Sequence, residues 1–381
     1  MALQKLLYDV LGEHNIVKII YDYYNYEFEG KLLYKIREED YINCVASITV
    51  DLCVYATGNL LKILNLKTGA IISILIGHRN GITSLIVLPD LRIVSGAYDG
   101  ELKIWNMYQN TPLIELTSRI PRAWYDAQPP IHHPSYIRSN GAITHLSYIT
   151  PNRIVTGSSS GIMNIWDLNI KSCMILSGHS DSVTYLGIIA EKYIISCSDD
   201  YTVKIWKPDI EDCLITIKYD SIITAATILS ENVFVIGDLN GSIRCYFLLI
   251  DNQEKSVKLT REIINTGKHV SCLTKISNEQ IICGYTTDGV TKLQTINLLN
   301  GIIETEFIGH DGISPKFIAL SSNGQIVLAS RNNIIDIWNQ NSGVCKHTIY
   351  NVDKHQIFVF KVLSGDYICC GCKDKCLKIW Q

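Results

Sequence analysis

The stretch RIVSGAYDGELKIW, Arg92 to Trp105, reads as strand, tight turn, strand. Apolar residues alternate over short runs on both sides of Asp99-Gly100, a dipeptide that favours a two-residue hairpin turn, so period 2 wins over period 3.6. Its last four residues return along the chain: LKIL ends at Leu64, LKIW at Trp105, MNIW at Trp166, VKIW at Trp206, IDIW at Trp338 and LKIW at Trp380. Two degenerate copies fill the gaps, SIRCYF with Tyr246 and VTKLQTINL near Ile296, and the successive spacings are 41, 61, 40, 40, 50, 42 and 42. A period near 40 with two insertions marks a repeat architecture rather than separate domains.

Each copy holds four apolar runs; the second reads ITSLIVL, RIVSGAYDG, ELKIWNM and TPLIELT. One four-stranded meander cannot bury both faces alone, so the copies must stack around an axis. Gly77-His78, Gly178-His179 and Gly309-His310 stand 28 or 29 residues before Trp105, Trp206 and Trp338, and Trp166-Asp167 is a literal Trp-Asp pair. On these features residues 31 to 381 resemble WD40 repeats, which implies an all-β propeller. The eighth copy reaches Gln381 with only three strands, whereas KLLYKI, Lys31 to Ile36, precedes the first copy's INCVASI as a spare strand. An eight-bladed ring closed by that N-terminal strand is therefore expected, with no open edge at the seam. Seven blades is the alternative, should the first or the sixth copy fail to form a sheet.

The resemblance places a hydrogen-bonded chain on His78, Ser95, Asp99 and Trp105, repeated at His179, Ser196, Asp200 and Trp206. A half-buried carboxylate needs donors, and a histidine relayed through a hydroxyl to an indole N–H satisfies every group. The same trio could suggest a hydrolase, but a hydroxyl within a recurrent strand is no exposed nucleophile. Thr156 and Ser160, Asn240 and Tyr246, Asn332, and Cys370 with Asp374 replace parts of the pattern in other copies, and blades three and five are expected to be the loosest. Gly157-Ser158-Ser159-Ser160-Gly161 matches G-x-S-x-G, yet a strand rather than a helix follows it, which leaves a hairpin. Cys369, Cys370, Cys372 and Cys376 cluster in sequence, but alternation along a strand sends neighbours to opposite faces. Adjacent His132 and His133 lack a third ligand at metal spacing. No catalytic, metal or cofactor site is assigned.

The 381 residues carry 34 Lys+Arg against 37 Asp+Glu, a formal charge of −3, with 47% hydrophobic residues. No basic cluster offers a footprint for nucleic acid or an anionic membrane, and no apolar run of spanning length occurs. Thirteen cysteines at irregular spacing fit free thiols in a reducing compartment, which makes the cytoplasm the expected location and leaves the nucleus open.

Protein partners are the expected ligands. Residues 118–140, SRIPRAWYDAQPPIHHPSYIRSN, break the period between the second and third blades and bring Arg119, Arg122, Trp124, Tyr125, Tyr136 and Arg138, residue types that anchor interfaces. The alternative is that Trp124 and Tyr136 only pin this loop to the blade beneath. Turns between second and third strands, with Tyr98, Asp99, Tyr201 and Asp288, complete the same face by analogy with the family. Leu249–Lys258, charged and without aromatics, extends solvent-facing strands of the fifth copy. In residues 1–27, Leu3, Leu6, Leu7, Val10 and Leu11, then Ile16, Ile19, Ile20, Tyr23 and Tyr24, recur at helical spacing and predict two short amphipathic helices. LLYDVLGEHNIVKIIYDYY resembles the start of an F-box, which implies a ubiquitin-ligase adaptor as partner, although the Leu-Pro opening is missing; a structural cap is the competing reading. The chain thus divides into a helical segment, 1–27, and a propeller, 28–381, with a protein-binding scaffold as the leading function and an F-box-like substrate receptor as the alternative.

Overall fold

A computed structural model of the chain describes residues 31–117, 141–250, 255–265, 269–287, 290–311, 315–330, 333–350, 352 and 356–381. Among them all regular structure is β, in eight antiparallel four-stranded sheets. The helices expected in residues 1–27 and the aromatic loop 118–140 lie outside the described residues.

The second copy shows how sequence becomes a blade. Ile82–Val87, Ile93–Ala97, Glu101–Trp105 and Ile114–Thr117 pair in chain order. Gly100, at φ 78°, supplies the left-handed residue that the hairpin needs. The other innermost strands are Ile42–Ser47, Ile143–Thr150, Val183–Ile189, Ile223–Ile228, Val270–Lys275, Pro315–Leu320 and Ile357–Val362. Each touches the next in chain order and the last touches the first, so the ring is closed with eight blades. The degenerate sixth copy forms a complete sheet, which removes the seven-bladed alternative.

The core is divided into eight apolar clusters, one at each boundary between blades. Trp105, for example, packs on Ala46, Val54, Ile63 and Leu75 of the preceding blade. The recurrent tryptophan position needs bulk, and Tyr246 and Ile296 provide it in the fifth and sixth blades. Small residues mark where the next blade comes closest. A Cβ on Gly96 would sit 2.6 Å from Ile143, and one on Gly371 would sit 2.9 Å from Ile42 across the seam.

That seam is built as the sequence predicts. Leu32–Arg37 pairs antiparallel with Cys376–Trp380, from Leu32 opposite Trp380 to Arg37 opposite Cys376. Lys31 and Gln381 exchange two backbone hydrogen bonds of 3.1 Å. Beside it Glu38 is buried, accepting from Tyr55 Oη at 2.6 Å and from Lys62 Nζ at 2.6 Å. A buried carboxylate held this way fixes geometry, since removing either donor would strand its charge.

The insertion in the fifth copy lengthens the outer hairpin, Ser242–Ile250 and Lys255–Asn265, paired from Ser242 opposite Asn265 to Ile250 opposite Lys255. The dense cysteines separate by face: Cys369 joins the cluster towards the first blade, Cys370 and Cys372 the cluster towards the seventh. Burial raises the Cys369 and Cys370 thiols well above their ordinary range and Cys372 is fully buried beside them, which makes them poor nucleophiles.

Candidate functional site

One rim of the ring gathers two kinds of segment. Connections between blades and the turns from second to third strand are tied by backbone bonds: Tyr98 N to Gly81 O at 3.0 Å, Ser159 N to Ala142 O at 2.9 Å, Asp199 N to Ser182 O at 3.0 Å, and Leu239 N to Ile222 O at 2.9 Å. This face is called the top.

Beneath it lies the polar chain, complete in the fourth blade. Trp206 Nε1 donates to Ser196 Oγ at 2.8 Å, Ser196 Oγ lies 2.7 Å from His179 Nε2, and His179 Nδ1 lies 2.9 Å from Asp200 Oδ2. The consistent proton arrangement has Ser196 donating to Nε2 and Nδ1–H donating to the carboxylate. Thr202 Oγ1 adds a 2.6 Å bond to Asp200 Oδ1. Burial holds His179 below its ordinary pKa while the bond to Asp200 opposes the shift, and the bond donors hold Asp200 below the usual carboxylate value against its own burial.

The second blade departs from the expected repeat of this chain. Trp105 Nε1 reaches Ser95 Oγ at 2.8 Å and Ser95 Oγ lies 2.6 Å from His78 Nε2, but His78 Nδ1 is buried without a partner among the described residues. Asp99 instead accepts from Asn80 Nδ2 at 2.7 Å and Glu101 N at 3.1 Å. The reason lies two residues past each histidine. Asn80 can donate to a carboxylate, whereas Asp181 in the fourth blade cannot and leaves Asp200 to the imidazole. Burial, helped by the Lys103 ammonium, lowers His78 to about 4.

Other blades carry shorter versions. Trp166 Nε1 donates to Thr156 Oγ1 at 3.0 Å, and Ser158 and Ser160 hydroxyls meet at 2.9 Å. In the seventh blade Leu328 stands where the second, third and fourth have a hydroxyl, and the buried Trp338 Nε1 has no partner among the described residues. The fifth blade is not simply depleted: Tyr219 Oη donates to Tyr246 Oη at 2.7 Å, Phe234 stacks on Tyr246, and Arg244 lies over Tyr219. The fifth blade, expected among the loosest, thus carries a substitute for the missing hydroxyl network. Ser95 and Ser196 are fully buried, which denies a substrate access to either serine.

Two of the residues expected to meet partners are described, and both are exposed on the top face. Tyr98 is 62% and Tyr201 46% exposed. Tyr201 has φ 63°, the left-handed position occupied by Gly100 and Gly241 in the corresponding turns. A side chain there costs about 1–2 kcal/mol relative to an unstrained backbone. Arg119, Arg122, Trp124, Tyr125, Tyr136, Arg138 and Asp288 lie outside the described residues.

With this geometry in place, comparison with known proteins decides the family. The model for nucleolar protein 10-like, N-terminal domain, a β-propeller, matches residues 29–261, more than half of the chain. The chain belongs to this family. Striatin-3 of Rattus norvegicus, Mus musculus and Bos taurus is 33% identical over 88 residues, covering 22% of this chain and 11% of striatin-3. The match thus spans about a tenth of those curated relatives. Among solved structures, the computationally designed Ika8 protein is similar at TM-score 0.72 and 22% identity, covering 90% of this chain and 97% of that one. The WD40 β-propeller domain of Doa1 is similar at TM-score 0.59 and 13% identity, covering 93% and 97%. Both likenesses concern the fold.

The nucleolar protein 10-like propeller also carries top-face features that reading the sequence missed. Tyr41 and Phe358, 40% and 39% exposed, meet edge to face at 5.8 Å beside the seam. Lys375 Nζ lies over Tyr41 and donates to Glu39 O at 2.7 Å. Around the channel, hydroxyls at the second position of innermost strands reach the next blade: Thr83 Oγ1 to Ile143 O at 2.6 Å, Thr144 Oγ1 to Val183 O at 2.8 Å, and Thr224 Oγ1 to Val270 O. Aligning the copies on their innermost strands, rather than on their tryptophans, would have exposed this belt.

Proposed function

We propose that the protein is a non-catalytic scaffold that docks protein partners on its top face. The observation that carries this reading is the set of exposed aromatic side chains there, Tyr98, Tyr201, Tyr41 and Phe358, held by turns bonded to a closed ring. Exposed aromatics combine large contact area with low rotamer cost, and the rigid support reduces the ordering cost of association. Tyr201 adds weight, since a turn of this kind is more stable with glycine and here presents a phenol instead. The WD40-type fold supports the same reading as an analogy. Residues 118–140, which separate the second and third blades in the sequence, are included in this reading for their Trp, Tyr and Arg content, and free thiols throughout suit a reducing compartment, the cytoplasm in our reading.

The test is a crosslinking pull-down comparing the intact protein with a Tyr98→Ala/Tyr201→Gly variant and with one lacking residues 118–140. Loss of the same captured proteins from both variants, at unchanged melting temperature, supports the reading. Equal capture by all three proteins overturns it.

A further inference from the structure

The eight innermost strands contain Lys275, Lys316, Lys361 and His145, and not one Asp or Glu. The chain as a whole has more acids than bases, 37 against 34, so this bias is local to the innermost strands. Within the channel a cavity of about 440 Å³ is lined by residues of the fourth to eighth blades, with Lys316 and Lys361 on the seventh and eighth and Thr184, Thr224 and Ser271 on the fourth, fifth and sixth. Its size is that of a small-molecule site.

The two lysines differ in how they are held. Lys316 Nζ donates to Ile357 O across the seventh and eighth blades at 2.6 Å and lies 4.8 Å from the centre of the Phe317 ring, which fixes its ammonium at the wall. Lys361 is exposed although it lies on an innermost strand, and its ammonium makes no ion pair or hydrogen bond among the described residues. An ammonium that lines a cavity without a carboxylate on any surrounding innermost strand attracts an anion, and low-dielectric walls strengthen that attraction. In the same lining, Thr224 and Ser271 spend their hydroxyl protons on backbone carbonyls, Val270 O and Gly284 O. Their remaining lone pairs face a ligand as acceptors, which suits a molecule that carries hydroxyl groups as well as negative charge.

We propose that the central channel binds a small phosphorylated polyol or sugar, with its phosphate on Lys361 and Lys316 and its hydroxyls towards Thr224 and Ser271. This site is separate from the top-face aromatics and does not depend on the scaffold reading.

The experiment is calorimetric titration of the full chain with inorganic pyrophosphate and with fructose 1,6-bisphosphate at low ionic strength, where screening is weakest. One-to-one saturable binding is expected for both probes, tighter for the bisphosphate. Lys361→Ala should weaken it at least tenfold, Lys361→Arg should retain it within about threefold, and Lys192→Ala, in the first turn of the fourth blade and outside the cavity lining, should leave it unchanged. Lys361 is exposed, so its variants should melt with the wild type, and Lys316→Met, on the adjacent innermost strand, should also weaken binding. Absence of saturable binding for both probes, or equal affinity in Lys361→Ala, overturns the proposal.

Discussion

Asp99 and Asp200 hold the same place in two copies of one motif, yet their removal should have unequal effects. Asp200 accepts from His179 Nδ1 at 2.9 Å, Ser180 N at 3.0 Å, Thr202 N at 3.0 Å and Thr202 Oγ1 at 2.6 Å. Asp200→Ala leaves the Nδ1–H of a buried imidazole only the Thr202 hydroxyl, 3.1 Å away, in place of a carboxylate, which costs about 1–2 kcal/mol, and removes charge-assisted bonds to partly exposed donors worth about 1–2 kcal/mol more. The sum is about 3 kcal/mol. Asp99→Ala strands nothing further, because His78 Nδ1 already lacks a partner and Asn80 is exposed and turns to water. The lost bond to Glu101 N is worth about 1 kcal/mol. With an unfolding entropy near 2.1 cal/mol/K per residue, 381 residues give about 0.8 kcal/mol/K, so the shifts are about 4 °C and about 1 °C. Scanning calorimetry of both variants, with urea melts in parallel, measures the difference. Equal shifts, or a larger one for Asp99→Ala, would refute the assignment of the intact chain to the fourth blade.

Trp338→Phe removes a buried N–H that has no partner, whereas Trp206→Phe breaks the bond to Ser196; the second should cost about 1–2 kcal/mol more in urea denaturation. His78 is held neutral, its pKa lowered from 6.5 to about 4. The unfolded chain therefore takes up its proton first, and this stability is present above pH 6.5 and lost as pH falls through about 4. The loss is at most about 3 kcal/mol, and the urea midpoint of His78→Gln should fall less steeply over that window. Identical pH profiles would count against it. Deleting residues 31–37 leaves Cys376–Trp380 as an open edge, so light scattering should show association. Adding the missing strand as a synthetic peptide should reverse this; a deletion variant that stays monomeric would contradict the seam.

Much of this architecture could be read from the chain because the repeat is carried by local rules. Alternation, turn residues and bulk at positions such as Trp105 and Trp206 recur at one period and survive substitution by Tyr246 or Ile296. The spare strand before Ile42 was legible because the eighth copy lacked one. What could not be read were contacts decided by a single atom type beside the motif. Whether Asp99 or Asp200 meets its histidine depends on Asn80 or Asp181, residues outside the recurring pattern. The Tyr219–Tyr246 bond replaces a lost network with chemistry that the repeat does not contain. The edge-to-face contact of Tyr41 with Phe358 joins residues brought together only when the ring closes.

The buckle between Leu32–Arg37 and Cys376–Trp380 also has a consequence for time. Lys375 and Glu39, which help fasten it, stand 336 positions apart, so on a ribosome the earlier of these segments must wait until that whole stretch has been translated. Seven blades can assemble as they emerge, but the eighth finishes last. Until then the nascent arc offers raw ends at both sides, and a chaperone that shields those ends would act on the slowest and most hazardous step of biogenesis.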